Sequence, residues 1–311
     1  MGRSSGMATR HIQQEYSAAP WVGIAWMVVT GLLFVLVIGT VRYLGPGIPA
    51  AESAFIRYVF GLILMLPFIL PALGRGMSRR TLGVYSLRGF AHALGVILWF
   101  YAMARIPIAE VTAIGYTSPI YITIGAALFF GERMAFRRVL AIAASFVGAM
   151  IILRPGLQEI SAGQMAQVLS APLFAVSYLI AKRLTVNEDA TVVVGMLSAF
   201  VTLALAPFAL AVWQPPTMGH LAGLALVAVF ATAGHFTMTK ALHAAPLMVT
   251  QPVTFLQLIW STLLGVFAFG EPADFWVLLG GGVIIASVSF ISYREWVLSR
   301  KNRTPPEPAL R

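Results

Sequence analysis

Ten stretches of mostly apolar residues follow one another along the chain, at roughly 21–42, 53–73, 84–104, 107–130, 136–154, 162–182, 190–213, 219–242, 246–269 and 274–297. Each approaches the length of about 20 residues that a helix needs to cross a bilayer. The other spanning solution is a closed barrel, whose strands alternate apolar and polar positions. Gly23 to Val41 is apolar on every face instead. The pattern therefore predicts an all-α membrane protein of ten transmembrane helices. Residues 1–20 are polar and read as a tail with no cleavable signal. The last residues, from Asn302, carry three prolines and are expected to stay disordered.

The windows also resemble one another. Residues 95–152 slide onto 234–291 without a gap, matching Gly95 with Gly234, Ala102 with Ala241, Pro107 with Pro246, Ile120 with Ile259 and Thr123 with Thr262. In the same register Phe130-Gly131-Glu132 falls on Phe269-Gly270-Glu271. A shift of one residue pairs Leu33-Phe34 with Leu173-Phe174 and Arg42 with Lys182. A proline, a Gly-Glu pair and matched helix ends in one register point to duplication, with a first five-helix repeat over 21–155 and a second over 156–297. Five is odd, so the second copy enters from the opposite face. Two inverted five-helix repeats around a central cavity are a common transporter architecture, with the substrate held near the midplane.

Ten spans as five plus five, the short links at Pro107 and Pro246, and Gly-Glu closing the fourth and ninth spans resemble the drug/metabolite transporter superfamily. Within it the chain is similar to the EamA-type exporters, in particular those of aromatic and neutral amino acids. The resemblance covers residues 20–297. It implies that the first, third and fourth helices of each half line a central cavity.

Composition supports a membrane and narrows the chemistry. Hydrophobic residues make up 59% and charged residues 10% of the chain, against about a quarter charged in a soluble domain. The net charge of +10 is distributed by side: with a cytoplasmic amino terminus, 17 Lys and Arg fall on the cytoplasmic side and four (Arg42, Arg57, Arg105 and Arg154) on the other. The charge thus orients the chain in a bacterial inner membrane, both termini cytoplasmic, and recruits no nucleic acid. Cysteine is absent. The five histidines have no metal-ligand spacing, and no catalytic constellation appears, so neither an enzyme nor a cofactor is expected.

Helices 5 and 10 read as scaffold, because Ala141, Ala144, Ser145 and Gly148, and Gly280, Gly281, Gly282, Ala286 and Ser289, let backbones approach closely. Helices 3, 4, 8 and 9 carry polar residues at their midpoints. His92, Val96, Trp99 and Met103 share a face of helix 3, and the repeat carries that face to His235 and Met238 in helix 8. Helix 4 offers Tyr116, Ser118 and Pro119; helix 9 offers Gln257, a primary amide that needs partners at mid-bilayer. Ser177 and Tyr178 in helix 6 and Phe34 in helix 1 complete the candidate walls. Structural readings stand beside these: an interhelical bond for each histidine, a lipid or core face for Trp99 and Tyr116, a backbone bond for Ser118, and capping for Glu132 and Glu271. Pro119 and Pro172 are the candidate bends.

No Asp, Glu, Lys or Arg is expected at the middle of a span, with Glu52 and Glu110 within about a turn of the membrane ends. The site then holds aromatic, amide, hydroxyl and imidazole groups, which suit a net-neutral solute with an apolar or aromatic part. The expected function is export of neutral, in particular aromatic or hydrophobic, amino acids by alternating access in a monomer, with facilitated diffusion slightly favoured over proton exchange through His92 or His235. Other neutral metabolites or hydrophobic drugs are the alternative cargo; a membrane sensor or a lipid scramblase is the alternative class.

Overall fold

The apolar windows become helices in the computed structural model, which describes residues 20–73, 77–130, 136–184, 190–244, 250 and 253–301. The helices are α1 (Pro20–Leu44), α2 (Ala50–Leu73), α3 (Arg79–Met103), α4 (Ile108–Gly115), α5 (Ser118–Phe130), α6 (Phe136–Leu153), α7 (Ala162–Leu184), α8 (Ala190–Ala211), α9 (Met218–Ala244), α10 (Leu256–Phe269) and α11 (Phe275–Lys301). Among them α1, α2, α3, α7, α8 and α9 are long and apolar enough to cross a membrane. Shorter apolar stretches lie in α6, α10 and α11. The expectations for Glu132 and Pro246 fall outside the described residues.

The fourth window differs from the uninterrupted helix that its length predicts. It breaks into α4 and α5 at Tyr116 and Thr117, whose N–H groups turn back to Ala113 O (3.3 Å) and Ile114 O (3.0 Å). Pro119 explains the break: it has no N–H for Gly115 O, and its ring crowds that carbonyl. At the second position of α5 the missing N–H is harmless. In the other half, helical Val253 and Thr254 give way to a turn at Phe255, the repeat partner of Tyr116, before α10 starts. Pro172, by contrast, lies inside α7 without ending it.

Helix packing crosses between the halves. α1 lies against α9, α3 against α7 and α8, α2 against α8 and α9, α4 against α10, and α6 against α11. At the α6–α11 crossing a Cβ on Gly148 would come within 2.8 Å of Gly280 O, and one on Gly280 within 2.5 Å of Gly148 O. Only glycine permits that backbone approach, the role foreseen for these helices. One core cluster joins α1, α2, α3 and α9 through Val37, Ile38, Tyr58, Phe100, Met103 and Leu224. A second joins α4, α6 and α11 through Ile114, Ile142, Ile152 and Ile284.

One end of the bundle is tied by polar contacts, most of them joining one half to the other. This is the end where α1, α3 and α10 finish and α4, α7 and α11 begin. Arg42 Nε donates to Glu271 Oε1 at 2.9 Å, and Arg42 Nη1 to Ala104 O at 3.1 Å. Glu271 Oε2 accepts the N–H of Ile108, the first residue of α4, at 2.9 Å. The capping role expected of Glu271 is therefore met across the molecule rather than within its own helix. Gly270, with φ 65°, supplies the left-handed turn that ends α10 and aims Glu271 at this contact. Beside it Arg154 pairs with Asp274 at 2.5 Å, Gln164 donates to Glu110, and Gln214 N donates to Glu52 Oε2 at 2.9 Å. Glu52 and Glu110 thus sit in the first turns of α2 and α4, near membrane ends as expected.

Candidate functional site

The inner face of α3 places His92 at mid-helix, half-buried, where both ring nitrogens are engaged. Nε2 lies 3.0 Å from the Tyr58 hydroxyl on α2 and Nδ1 lies 3.1 Å from Ser177 Oγ on α7. A neutral imidazole donates at one nitrogen and accepts at the other, and two hydroxyls satisfy either tautomer. Phe174 stands edge-on to His92, with centroids 5.0 Å apart, and to Trp99 at 6.0 Å. Gly95 makes room for it, since a Cβ there would sit 3.1 Å from the Phe174 ring.

An equivalent arrangement joins α1 to α9. The Phe34 ring lies 3.4 Å from where a Cβ on Gly234 would be, and stands edge-on to His235 at 5.3 Å. Next to it Thr30 and Thr237 share a hydrogen bond of 2.9 Å. Leu224 and Ala231 on the inner side of α9 are buried, yet His235 is exposed and Met238 half-exposed.

The third contact lies at the helix breaks. Tyr116 stands edge-on to Phe255 at 5.3 Å, and its hydroxyl donates to Thr254 O at 3.2 Å. Thr112 and Ser261 bond at 2.7 Å nearby, and Gln167 Nε2 reaches Val111 O at 3.1 Å. Gln257 is half-buried and faces α1 at Gly31, 3.9 Å from a Cβ built there. Ser118 is half-buried at the start of α5. Tyr178 is 57% exposed and joins none of the ring contacts. His92, Ser177 and Trp99 are thus brought into one cluster, His235 into a second and Tyr116 into a third.

One expectation is overturned: the spans do carry cations. Arg57 lies seven residues into α2, roughly 10 Å along its axis, with its guanidinium 4.1 Å above the Tyr58 ring. Arg88 lies nine residues into α3, is 6% exposed, and donates from Nη1 to Val193 O at 2.8 Å. Both guanidinium groups are near enough to act electrostatically on His92 and His235. No carboxylate forms an ion pair with either among the described residues. Counting charges along windows assigned these two residues to membrane ends; the helix lengths put them inside. Tyr58 and Phe174 were also missed as site residues, although the pairing of Phe34 with Phe174 in the repeat pointed to the latter.

The profile of the EamA-like transporter family matches residues 21–154 and again residues 161–293. A riboflavin transporter of Rhizobium johnstonii is 35% identical, over 90% of this chain and 94% of the relative. A riboflavin transporter of Vibrio cholerae is 31% identical, over 91% and 97%. An S-adenosylmethionine uptake transporter of Rickettsia bellii is 30% identical, over 82% and 87%.

Proposed function

The chain belongs to the EamA-like transporter family, and on that premise we propose that this multi-pass membrane transporter carries a flat heteroaromatic solute, riboflavin first among those to test. The observation that carries the reading is the pair of ring clusters related by the repeat, Phe174 with Trp99 and His92, and Phe34 with His235. Aromatic edges and faces enclose a planar ring system well, while His92, Tyr58, Ser177 and Gln257 supply a few fixed polar groups. Trp99, Tyr116, Met238 and His235 form the walls in this reading, with Ser118 and Tyr178 at its margin.

Export of a neutral or aromatic amino acid uses the same rings but fits less well. An amino acid is a zwitterion: the cations of Arg57 and Arg88 attract its carboxylate but oppose its ammonium, and no carboxylate pairs with either cation among the described residues. The relatives named above are riboflavin and S-adenosylmethionine transporters.

Alternating access between two inverted halves is supported by the packing. Under the repeat α1 corresponds to α7, α2 to α8, α3 to α9, α4 and α5 to α10, and α6 to α11. That exchange turns the α1–α9 contact into the α3–α7 contact, and α2–α9 into α3–α8, while α2–α8, α4–α10 and α6–α11 map onto themselves. The two family matches, one per half, support the same duplication. The excess of Lys and Arg at the opposite end supports placing the tied end away from the cytoplasm. Carriage without an ion gradient fits a centre in which, among the described residues, no carboxylate pairs with Arg57 or Arg88.

Proteoliposomes holding the purified protein test this directly. Saturable uptake of labelled riboflavin, blocked by excess riboflavin and unaffected by phenylalanine or tryptophan, is the expected result. Saturable phenylalanine flux with no riboflavin flux would reinstate the amino-acid reading.

A further inference from the structure

We infer that Arg57 is the specificity-determining residue of this site, binding an oxygen-acceptor edge of the substrate ring through its guanidinium fork. The inference rests on the heteroaromatic reading above and names the group on the solute that the protein recognises.

Arg57 projects from the same stripe of α2 as Ala54, Tyr58 and Gly61, where the helix passes from core to accessible surface. Ala54 and Tyr58 are buried, Arg57 is half-buried, and Leu64 and Phe68 farther along the stripe are exposed. The Gly61 backbone leaves the guanidinium free passage, with Nη1 4.0 Å from where a Cβ would stand. The guanidinium carbon stands 4.1 Å from the centre of the Tyr58 ring, and Tyr58 is itself fixed by His92, which is fixed by Ser177. A guanidinium offers five N–H donors in a rigid plane, and stacking on an aromatic face leaves its edge available. The two neighbouring cations differ in this respect. Arg88 spends a donor on Val193 O and is buried, which makes it part of the framework.

A cation in a span without a carboxylate needs acceptors from water or from cargo. Paired carbonyl and imine acceptors along one edge of a ring, as at O4 and N5 of an isoalloxazine, match the two parallel N–H groups of the fork. A carboxylate or phosphate offers the same pair of oxygens, so the shared chemistry is a planar pair of acceptors, and the ring edge is the source assigned here. Such an edge would lie against Arg57 while the ring body meets Phe174 and Trp99.

The test is a set of flavin fluorescence titrations on the purified wild-type protein, Arg57→Gln and Arg57→Lys, with riboflavin, lumiflavin (the same ring with a methyl group in place of the sugar chain) and flavin mononucleotide. Arg57→Gln is expected to weaken all three at least about tenfold, with the thermal transition unchanged, since they share the ring edge. Arg57→Lys keeps the charge but loses the fork, and is expected to recover only part of the affinity. If Arg57→Gln does not fold, the same loss in Arg57→Lys decides the matter. Unchanged affinities, or a loss confined to flavin mononucleotide, would overturn the assignment. Wild-type protein that binds none of the three sinks the flavin reading alone. Arg57 is then judged by thermal stabilisation with guanosine against adenosine, whose rings present a carbonyl beside an imine and an amine beside an imine. A preference for guanosine that disappears in Arg57→Gln upholds the anchor, and the lack of such a preference overturns it.

Discussion

Phe174 rests on Gly95, its ring 3.1 Å from where a Cβ would project, and the repeat reproduces this contact between Phe34 and Gly234 at 3.4 Å. Each aromatic reaches the centre of the bundle only because its partner helix has no side chain at that point. A methyl group at residue 95 must push the ring by a few tenths of an ångström toward His92 and Trp99. Gly95→Ala is therefore expected to lower the rate of transport several-fold, with a melting temperature near that of the wild type. Equal flux in both proteins would mean that the Phe174 position is not part of the substrate path.

His92 joins three helices through two hydrogen bonds. His92→Ala leaves the Tyr58 hydroxyl and Ser177 Oγ each short of a partner, at about 1 kcal/mol per bond. Roughly tenfold weaker substrate binding is expected, with a smaller effect for Ser177→Ala, which leaves the Tyr58 bond intact. Gln257→Ala is expected to weaken binding without loss of stability, because Gln257 is only half-buried. Binding titrations of the three variants beside their thermal transitions check the order.

Glu271 combines an ion pair with Arg42 and a cap on α4. Glu271→Ala loses both, and hydrogen bonds to charged groups contribute about 1.5–3 kcal/mol each. Glu271→Gln keeps an oxygen for the Ile108 N–H and loses only the charge. The alanine variant is expected to be less stable by about 2–4 kcal/mol and the glutamine variant by about half of that. Chemical or thermal unfolding in detergent measures the difference; equal stability of the two would show that the cap contributes nothing.

The α6–α11 crossing gives a prediction about folding rather than transport. Gly148→Ala or Gly280→Ala forces two backbones apart and is expected to destabilise the protein by about 1–3 kcal/mol. The yield of folded protein should fall in parallel, while substrate affinity of the surviving fraction stays at the wild-type value.

Because the sequence holds no cysteine, one introduced thiol reports on the tied end without background. Ser53 lies beneath it, against a small void shared with Leu44, Phe100 and Arg105. Ser53→Cys is expected to react slowly with a maleimide. Adding Arg42→Ala should speed the reaction about tenfold, the effect of weakening the tie by ~1.4 kcal/mol. No acceleration would mean that the Arg42–Glu271 pair does not hold this end shut.

Much of the fold was legible because a bilayer leaves few options: apolar windows of sufficient length become helices, and a register shared by Gly95 and Gly234 carries Phe34 and Phe174 to equivalent places. The break ahead of Pro119 was legible as a bend but not as two helices, since that depends on how far the Gly115 carbonyl must yield. Arg57 and Arg88 were misplaced for a related reason. An arginine near the end of an apolar window looks interfacial in one dimension, and only the helix start shows it to be two or more turns inside. The partners of His92 could not be read at all, because Tyr58 and Ser177 come from helices 34 residues before and 85 residues after it.

The tied end has a kinetic consequence. Among the described residues five polar contacts join the halves there: Arg42 with Glu271, Ile108 with Glu271, Arg154 with Asp274, Glu110 with Gln164, and Glu52 with Gln214. The repeat does not reproduce the set, because Asp274 aligns with Ala135 and Glu110 with Val249. Under the alternating access proposed above, contacts that only one half supplies would bias the unloaded carrier toward one compartment. For a carrier not driven by a second ion, resting bias leaves the equilibrium distribution of solute untouched. It must appear as different half-saturation concentrations on the two sides, with the ratio of maximal rate to half-saturation held equal in both directions.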